Sequence, residues 1–140
     1  MALNVAQVQV WAAAIADEPG AASEKLQALA DAGVNLEFIV ARRTPDKGGG
    51  VLYVTPLLGD TAQQAGRAAG FEVAEGLHSV RVDGRDEVGL GARMTAALAG
   101  AGINMRGISA AALRDQAVWY LAFDSGDDAS RAEELIGGLA

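Results

Sequence analysis

The residues with the most to offer chemically form two short constellations of nearly the same composition. Asp17-Glu18-Pro19-Gly20 recurs as Asp86-Glu87-Val88-Gly89, and Gly33-Val34-Asn35 recurs as Gly102-Ile103-Asn104. An Asp-Glu-x-Gly stretch ahead of apolar residues at three- and four-residue spacing marks a turn into a helix. A helix N-terminus carries unpaired N–H groups and a partial positive charge, which suit a carboxylate. Gly20 and Gly89 leave that approach free of a side chain. Asn35 and Asn104 both donate and accept, which suits the backbone of an amino acid. Asp17, Glu18, Asp86 and Glu87 can pair with an ammonium group. The plainer role of the aspartates is to cap the helix, and that of an Asn beside Gly is to shape a turn.

No other group of residues competes with these. His78 is the one histidine and there is no cysteine, which removes thiolate metal sites, disulfides and Cys nucleophiles together. His78 is read as structural. Gly89-Leu90-Gly91 at a helix start lacks the third small residue of a dinucleotide fingerprint, because Met94 stands there. Gly48-Gly49-Gly50 has no following Lys-Ser/Thr for a phosphate loop and reads as a hairpin tip, and Arg42-Arg43 as a solvated strand end. Trp11, Tyr53, Trp119 and Tyr120 fall in strands, where packing is the default. No catalytic residue, metal or cofactor is expected.

The elements that must position the two constellations are themselves duplicated. Both motifs repeat 69 residues apart (17 to 86, 32 to 101), and Ala28-Leu29-Ala30 returns as Ala97-Leu98-Ala99 at the same spacing. Val51-Leu52-Tyr53-Val54 returns as Val118-Trp119-Tyr120-Leu121 after 67, so the second copy loses two residues where a turn belongs. The repeat predicts modules at 1–76 and 77–140.

Each unit reads as strand, helix, hairpin, helix, strand. Val8, Val10 and the run to Ile15 form the first strand, matched by Leu77 to Val82. Pro19 fits the first helical position. Leu26, Leu29 and Ala30, and Leu90, Met94, Leu98 and Ala101, line the apolar face of the first helix. Gly33 and Gly102 sit where a left-handed C-terminal residue belongs. Strand two runs from Val34 to Ala41 and from Ile103 to about Leu113, the hairpin tips are Thr44 to Gly50 and Arg114 to Gln116, and strand three is Val51 to Thr55 and Val118 to Phe123. Asp60 and Asp127 are predicted to cap the second helices, Thr61 to Ala69 and Asp128 to Ile136. Phe71 to Glu75 supplies strand four of the first copy. Only four residues follow Ile136, too few for a last strand, so the second copy either closes with three strands or borrows an edge from elsewhere, and an open edge invites pairing with a second chain, a homodimer. The fold class is α+β: two ferredoxin-like βαββαβ modules with helices on one face of each antiparallel sheet.

Composition narrows the function classes. The net charge is −7, with Lys25 and Lys47 the only lysines, and no basic stripe is visible for a nucleic acid. At 51% apolar and 21% charged residues the chain is globular. Asn4, Gln7 and Gln9 interrupt the uncharged N-terminal stretch, so no secretory signal is expected, nor a membrane span, and the cytoplasm is the default compartment.

A strand ending in Asp-x-x-Gly, a helix, and then Gly-[Val/Ile]-Asn resembles the ACT domain signature, carried here as Asp17, Gly20 and Gly33-Val34-Asn35 and again as Asp86, Gly89 and Gly102-Ile103-Asn104. The resemblance spans Val5 to Ile136. It implies a tandem ACT protein, a regulatory module that binds small ligands such as amino acids, framed by Asp17, Glu18, Pro19, Gly20, Gly33 and Asn35 in copy one. In copy two the frame is Asp86, Glu87, Gly89, Gly102 and Asn104. Such modules accompany enzymes, and the absence of a catalytic domain points to action in trans on a partner enzyme. The alternatives are a ligand-free regulatory subunit or interaction module, and a small enzyme built on His78.

Overall fold

The computed structural model describes residues 3–45 and 48–139; the hairpin residues Asp46 and Lys47 lie outside them. In chain order the elements are β1 (Asn4–Val8), β2 (Trp11–Ala16), α1 (Ala21–Asp31), β3 (Phe38–Thr44), β4 (Gly49–Thr55), α2 (Gly59–Ala68), β5 (Glu72–Val73), β6 (His78–Arg85), α3 (Leu90–Gly100), β7 (Met105–Leu113), β8 (Gln116–Phe123) and α4 (Gly126–Gly137). They make two four-stranded antiparallel sheets, ordered β3-β4-β2-β5 and β7-β8-β6-β1. Each sheet carries the split βαβ plan predicted from the repeat.

The second sheet takes its fourth strand from the start of the chain. The run read as a single strand from Val8 to Ile15 divides at Gln9 and Val10, whose carbonyls accept the Thr55 hydroxyl at 2.9 Å and the Ala74 N–H at 2.8 Å. Upstream of that break, β1 pairs antiparallel with β6 from Asn4 opposite Asp83 to Val8 opposite Ser79. It fills the place that β5 takes in the first sheet, beside the strand that precedes the first helix. Leu3 and Val5 pack against the second core. The Gln7 amide donates to the Ser130 hydroxyl at 3.3 Å and to Glu133 at 3.0 Å on α4.

The units therefore divide as residues 9–74, module one, and residues 3–8 with 75–139, module two, not at residue 76. The edge whose exposure suggested a homodimer is occupied by the chain's own β1.

Period-two alternation aims one face of each sheet at its helices. In module one Trp11, Ala13, Leu52 and Val54 meet Leu29 of α1 and Phe71, and the Arg67 guanidinium lies 5.0 Å from the Trp11 ring centroid. Ala30, predicted on the apolar face of α1, is exposed. In module two Val80, Val82, Leu121 and Phe123 meet Leu90, Met94 and Leu98 of α3 and Ile136 of α4, all buried. A Cβ on Gly91 would lie 2.6 Å from the Trp119 ring, so the absent side chain at the start of α3 is what admits that indole.

The second helices start differently from the prediction. Asp60 and Asp127 stand inside the first turns of α2 and α4, where their charge still favours the helix dipole. The capping positions belong to Leu58, which offers no side-chain acceptor, and to Ser125, whose hydroxyl accepts from the Asp128 N–H at 3.1 Å.

Candidate functional site

The Asp-Glu-x-Gly stretch is a turn, and its glycine is explained by backbone geometry. Gly20 has φ 91° and ψ −13°, and the Ala21 N–H reaches the Glu18 carbonyl at 3.4 Å. That is a type II turn with Pro19 second and Gly20 third, the position that needs positive φ. Gly89 repeats it with φ 84° and a Leu90 to Glu87 bond of 3.3 Å, Val88 standing fully exposed in the place of Pro19. Consequently α1 starts at Ala21, not at Pro19, because a left-handed residue cannot lie inside a right-handed helix.

The carboxylates of the turn do not cap these helices. Neither α1 nor α3 has a side-chain cap. Asp17 pairs with Arg43 at 2.9 Å on the surface, and Glu87 pairs with Arg93 at 3.0 Å. Asp17 and Arg43, with Ile15, Arg42 and Gly50, line a shallow hollow of about 210 Å³.

The Gly-x-Asn half of the frame ends the helix instead of starting a strand. Gly33 has φ 77° and donates to the Ala30 carbonyl at 2.9 Å, while the Val34 N–H reaches the Leu29 carbonyl at 3.0 Å. Gly102 and Ile103 make the equivalent bonds at 3.0 and 2.9 Å to Ala99 and Leu98. Both are Schellman endings, with Val34 and Ile103 returning an apolar side chain toward the helix they close. Asn35 and Asn104 are exposed in the loops that follow, ahead of β3 and β7.

The two halves of the predicted frame are thus at opposite ends of one helix. Eleven residues of α1 at 1.5 Å each separate Gly20 from Gly33 by about 16 Å. Asp17, Glu18, Pro19 and Gly20 do not share a cavity with Gly33 and Asn35, and α3 separates Asp86, Glu87 and Gly89 from Gly102 and Asn104 in the same way.

What Gly33 and Asn35 do line is a cavity of about 270 Å³, between the end of α1 and the start of α2. Ala32, Val34, Pro56 and Ala62 give it apolar walls, and Leu58, 78% exposed, stands at its rim. Asn35 and the Thr61 hydroxyl bring polar groups, and the first turn of α2 has no side-chain cap to occupy its N–H groups. The arrangement accepts a small molecule with an apolar body and a hydrogen-bonding or anionic end.

Pro56, Leu58 and Thr61 escaped the sequence reading. Their signal lies in the repeat itself, since at the 67-residue spacing Leu58 matches Ser125 and Thr61 matches Asp128. In module two those positions carry side chains that cap the helix and form ion pairs. Ser125 caps α4, and Arg131 spans from Asp128, at 3.7 Å, to the Ala101 carbonyl at the end of α3, at 2.8 Å.

Among the described residues no three His, Asp or Glu side chains gather as metal ligands, and no helix is long and apolar enough to cross a membrane. His78 is exposed at the start of β6.

Solved structures share this architecture end to end. A Bacteroides thetaiotaomicron protein of 14% identity matches with a TM-score of 0.78 over 93% of this chain and 88% of its own. The ligand-free regulatory subunit of aspartate kinase from Thermus thermophilus, 19% identical, matches with a TM-score of 0.65 over 97% of this chain and 95% of its own. This chain has the tandem ACT fold. Escherichia coli aspartokinase III, in complex with lysine and aspartate, contains the same pair within a longer chain: 19% identity, TM-score 0.55, 97% of this chain but 32% of that one. No protein-family model and no curated protein sequence matches. The fold is thus shared at 14–19% identity.

Proposed function

We propose that this tandem ACT chain is a non-catalytic regulatory protein that binds a small molecule, an amino acid, and acts on a partner enzyme. The observation that carries the reading is the cavity of module one, where Gly33, Asn35 and Thr61 meet apolar walls at an uncapped helix start. An amino acid presents the matching chemistry: a carboxylate for the N–H groups of α2, polar atoms for Asn35 and Thr61, and a side chain for the apolar walls. The fold supports the regulatory part. The Thermus thermophilus chain matched over nearly its whole length is a regulatory subunit, and the longer Escherichia coli chain was solved with lysine and aspartate.

In this reading Gly33 and Asn35 belong to the ligand site. Asp17, Glu18, Pro19 and Gly20, with Asp86, Glu87 and Gly89, shape the turns. Gly102 and Asn104 follow Ala101, whose carbonyl is tied to α4 by Arg131. Titration calorimetry with each of the twenty amino acids tests it. One is expected to bind with a dissociation constant of about 1 mM or tighter, and Asn35→Ala is expected to weaken it. Absence of binding throughout would refute the sensor role. A ligand-free regulatory subunit is the second reading, favoured by the ion pairs that already occupy Asp17 and Glu87; it predicts a stable complex with an enzyme that no amino acid alters.

A further inference from the structure

The two cavity-lining segments of module one meet at one buried hydroxyl. Pro56 lines the cavity directly after Thr55, and Asn35 lines it two residues ahead of Glu37, whose N–H donates to the Thr55 carbonyl at 2.9 Å. Thr55 is 3% exposed, and its hydroxyl donates to the Gln9 carbonyl at 2.9 Å. Gln9 and Val10 are the joint between β1, at the edge of the module-two sheet, and β2, inside the module-one sheet. Immediately before the joint, Val8 stands opposite Ser79, itself buried. β1 has five residues on a single partner strand, with Asn4 and Gln7 exposed. A strand with so few buried contacts opens at a smaller cost than the core. At the 67-residue spacing Thr55 matches Ala122, so the duplicated fold forms without a hydroxyl at this place.

We infer that Thr55 is a positioning residue that couples occupancy of the module-one cavity to the docking of β1 on module two. The coupling rests on that cavity being the ligand site. β1 supplies the two states, paired along β6 or released. The bond from Thr55 to Gln9 fixes where the chain leaves β2, so β1 reaches β6 with less conformational freedom left to lose. Without that bond the joint gains slack and pairing costs more. A molecule in the cavity packs against Pro56 and meets Asn35, and so orders both segments that hold Thr55. Binding that orders a segment favours every other contact needing the same order. Occupancy therefore tightens β1, and by reciprocity a docked β1 strengthens binding. Release of β1 frees the outer edge of β6 and the hold of Gln7 on Ser130 and Glu133 of α4. An amino acid taken up by module one is thus reported at the sheet edge of module two.

Hydrogen exchange of the full chain tests this, read at the β6-facing amides of residues 4–8 and at residues 52–54 inside module one. Thr55→Val is expected to speed exchange at residues 4–8 about three- to tenfold with a smaller change at residues 52–54, and Thr55→Ser to restore it. Occupancy is set by a tethered group. The chain has no native cysteine, so Thr61→Cys treated with benzyl methanethiosulfonate carries a single benzylthio group on the cavity wall. That label is expected to slow exchange at residues 4–8 at least about threefold. The same label on Ser23→Cys, exposed in the first turn of α1, is expected to leave them unchanged. No change on labelling Thr61→Cys overturns the coupling, and this arm decides should Thr55→Val fold poorly. So does a Thr55→Val chain whose loosening is absent from residues 4–8 or equally large at residues 52–54. Repeating the exchange with each of the twenty amino acids separates the coupling from the ligand reading. An amino acid that binds in calorimetry and leaves residues 4–8 unchanged overturns the coupling alone. A response to the label with no amino acid bound overturns the amino-acid reading alone.

Discussion

Modules one and two share an eleven-residue first helix, the same type II turn in front of it and the same Schellman ending behind it. They differ at the junction of that ending with the second helix. Module one has Leu58 and Thr61 there and leaves a cavity; module two has Ser125, Asp128 and Arg131, which cap α4 and tie it to the end of α3. The contrast teaches that duplication preserved what the backbone needs and relaxed what the opening needs. Gly20, Gly89, Gly33 and Gly102, all at positive φ, admit few replacements. Position 58 and its counterpart 125 face no such constraint, and there the copies parted.

The modules differ as well in how each sheet is completed, and here the largest effect is expected. Deleting residues 1–8 removes five paired positions beside β6, the packing of Leu3 and Val5, and the bonds from Gln7 to α4. Partial burial of two apolar side chains and a ladder of hydrogen bonds together come to about 3–5 kcal/mol. Each core holds one tryptophan, Trp11 in module one and Trp119 in module two, so denaturant titrations of Trp11→Phe and Trp119→Phe chains follow the modules separately. The truncation is expected to lower the midpoint reported by Trp119 and to spare the one reported by Trp11. Equal shifts in both would break the division of the units.

The contrast at the cavity is sharpened by exchanging its residues. Thr61→Arg brings a long cation to the cavity wall and is expected to weaken amino-acid binding at least about tenfold, or 1.4 kcal/mol, in calorimetry. Arg131→Gln, which gives module two the residue found at the matching position 64, removes the tie to Ala101 and is expected to raise the stoichiometry above one per chain. An unchanged stoichiometry would mean that Ser125 and Asp128 suffice to keep module two closed. At the turns the two copies should instead behave alike. Gly20→Ala and Gly89→Ala each force a side chain into the left-handed region, and each is expected to cost about 1 kcal/mol by thermal melting. A Cβ at either position would meet nothing within 4 Å beyond its chain neighbours, so a much larger loss would point to a contact at the turn instead of strain. Smallest of all, Asp17→Asn and Glu87→Gln break exposed ion pairs and should change stability by no more than about 0.5 kcal/mol.

Much of the fold was legible because the sequence states it twice. The repeat spacing, the apolar face of Leu90, Met94 and Leu98, and the left-handed positions of Gly33 and Gly102 were all readable. β1 was not readable, because Val8 to Ile15 reads as one strand, with Gln9 its only polar residue. Only the hydrogen bonds from Thr55 and Ala74 to Gln9 and Val10 reveal the break. Its partner β6 lies more than 70 residues away, and a periodicity within one segment carries no information about which sheet receives it. The helix starts were misplaced for a local reason: Pro19 suits a first helical turn and the second position of a type II turn equally well, and Gly20 decides for the turn. The site was half legible. Gly33 and Asn35 were found through their motif, while Pro56, Leu58 and Thr61 have no motif and emerge only where two loops meet.

The strand at the start of the chain also sets an order of events during synthesis. β1 is made before module one, yet the residues it pairs with, Ser79 to Asp83, are made only after the whole of module one. At about 5–20 residues per second that interval is about 4–16 s. Module one can fold within it from residues already present, while Val5 and Val8 wait with an unpaired backbone. The last contact of module two is thus promised by a strand made before module one, and β1 must stay free of other partners until β6 arrives.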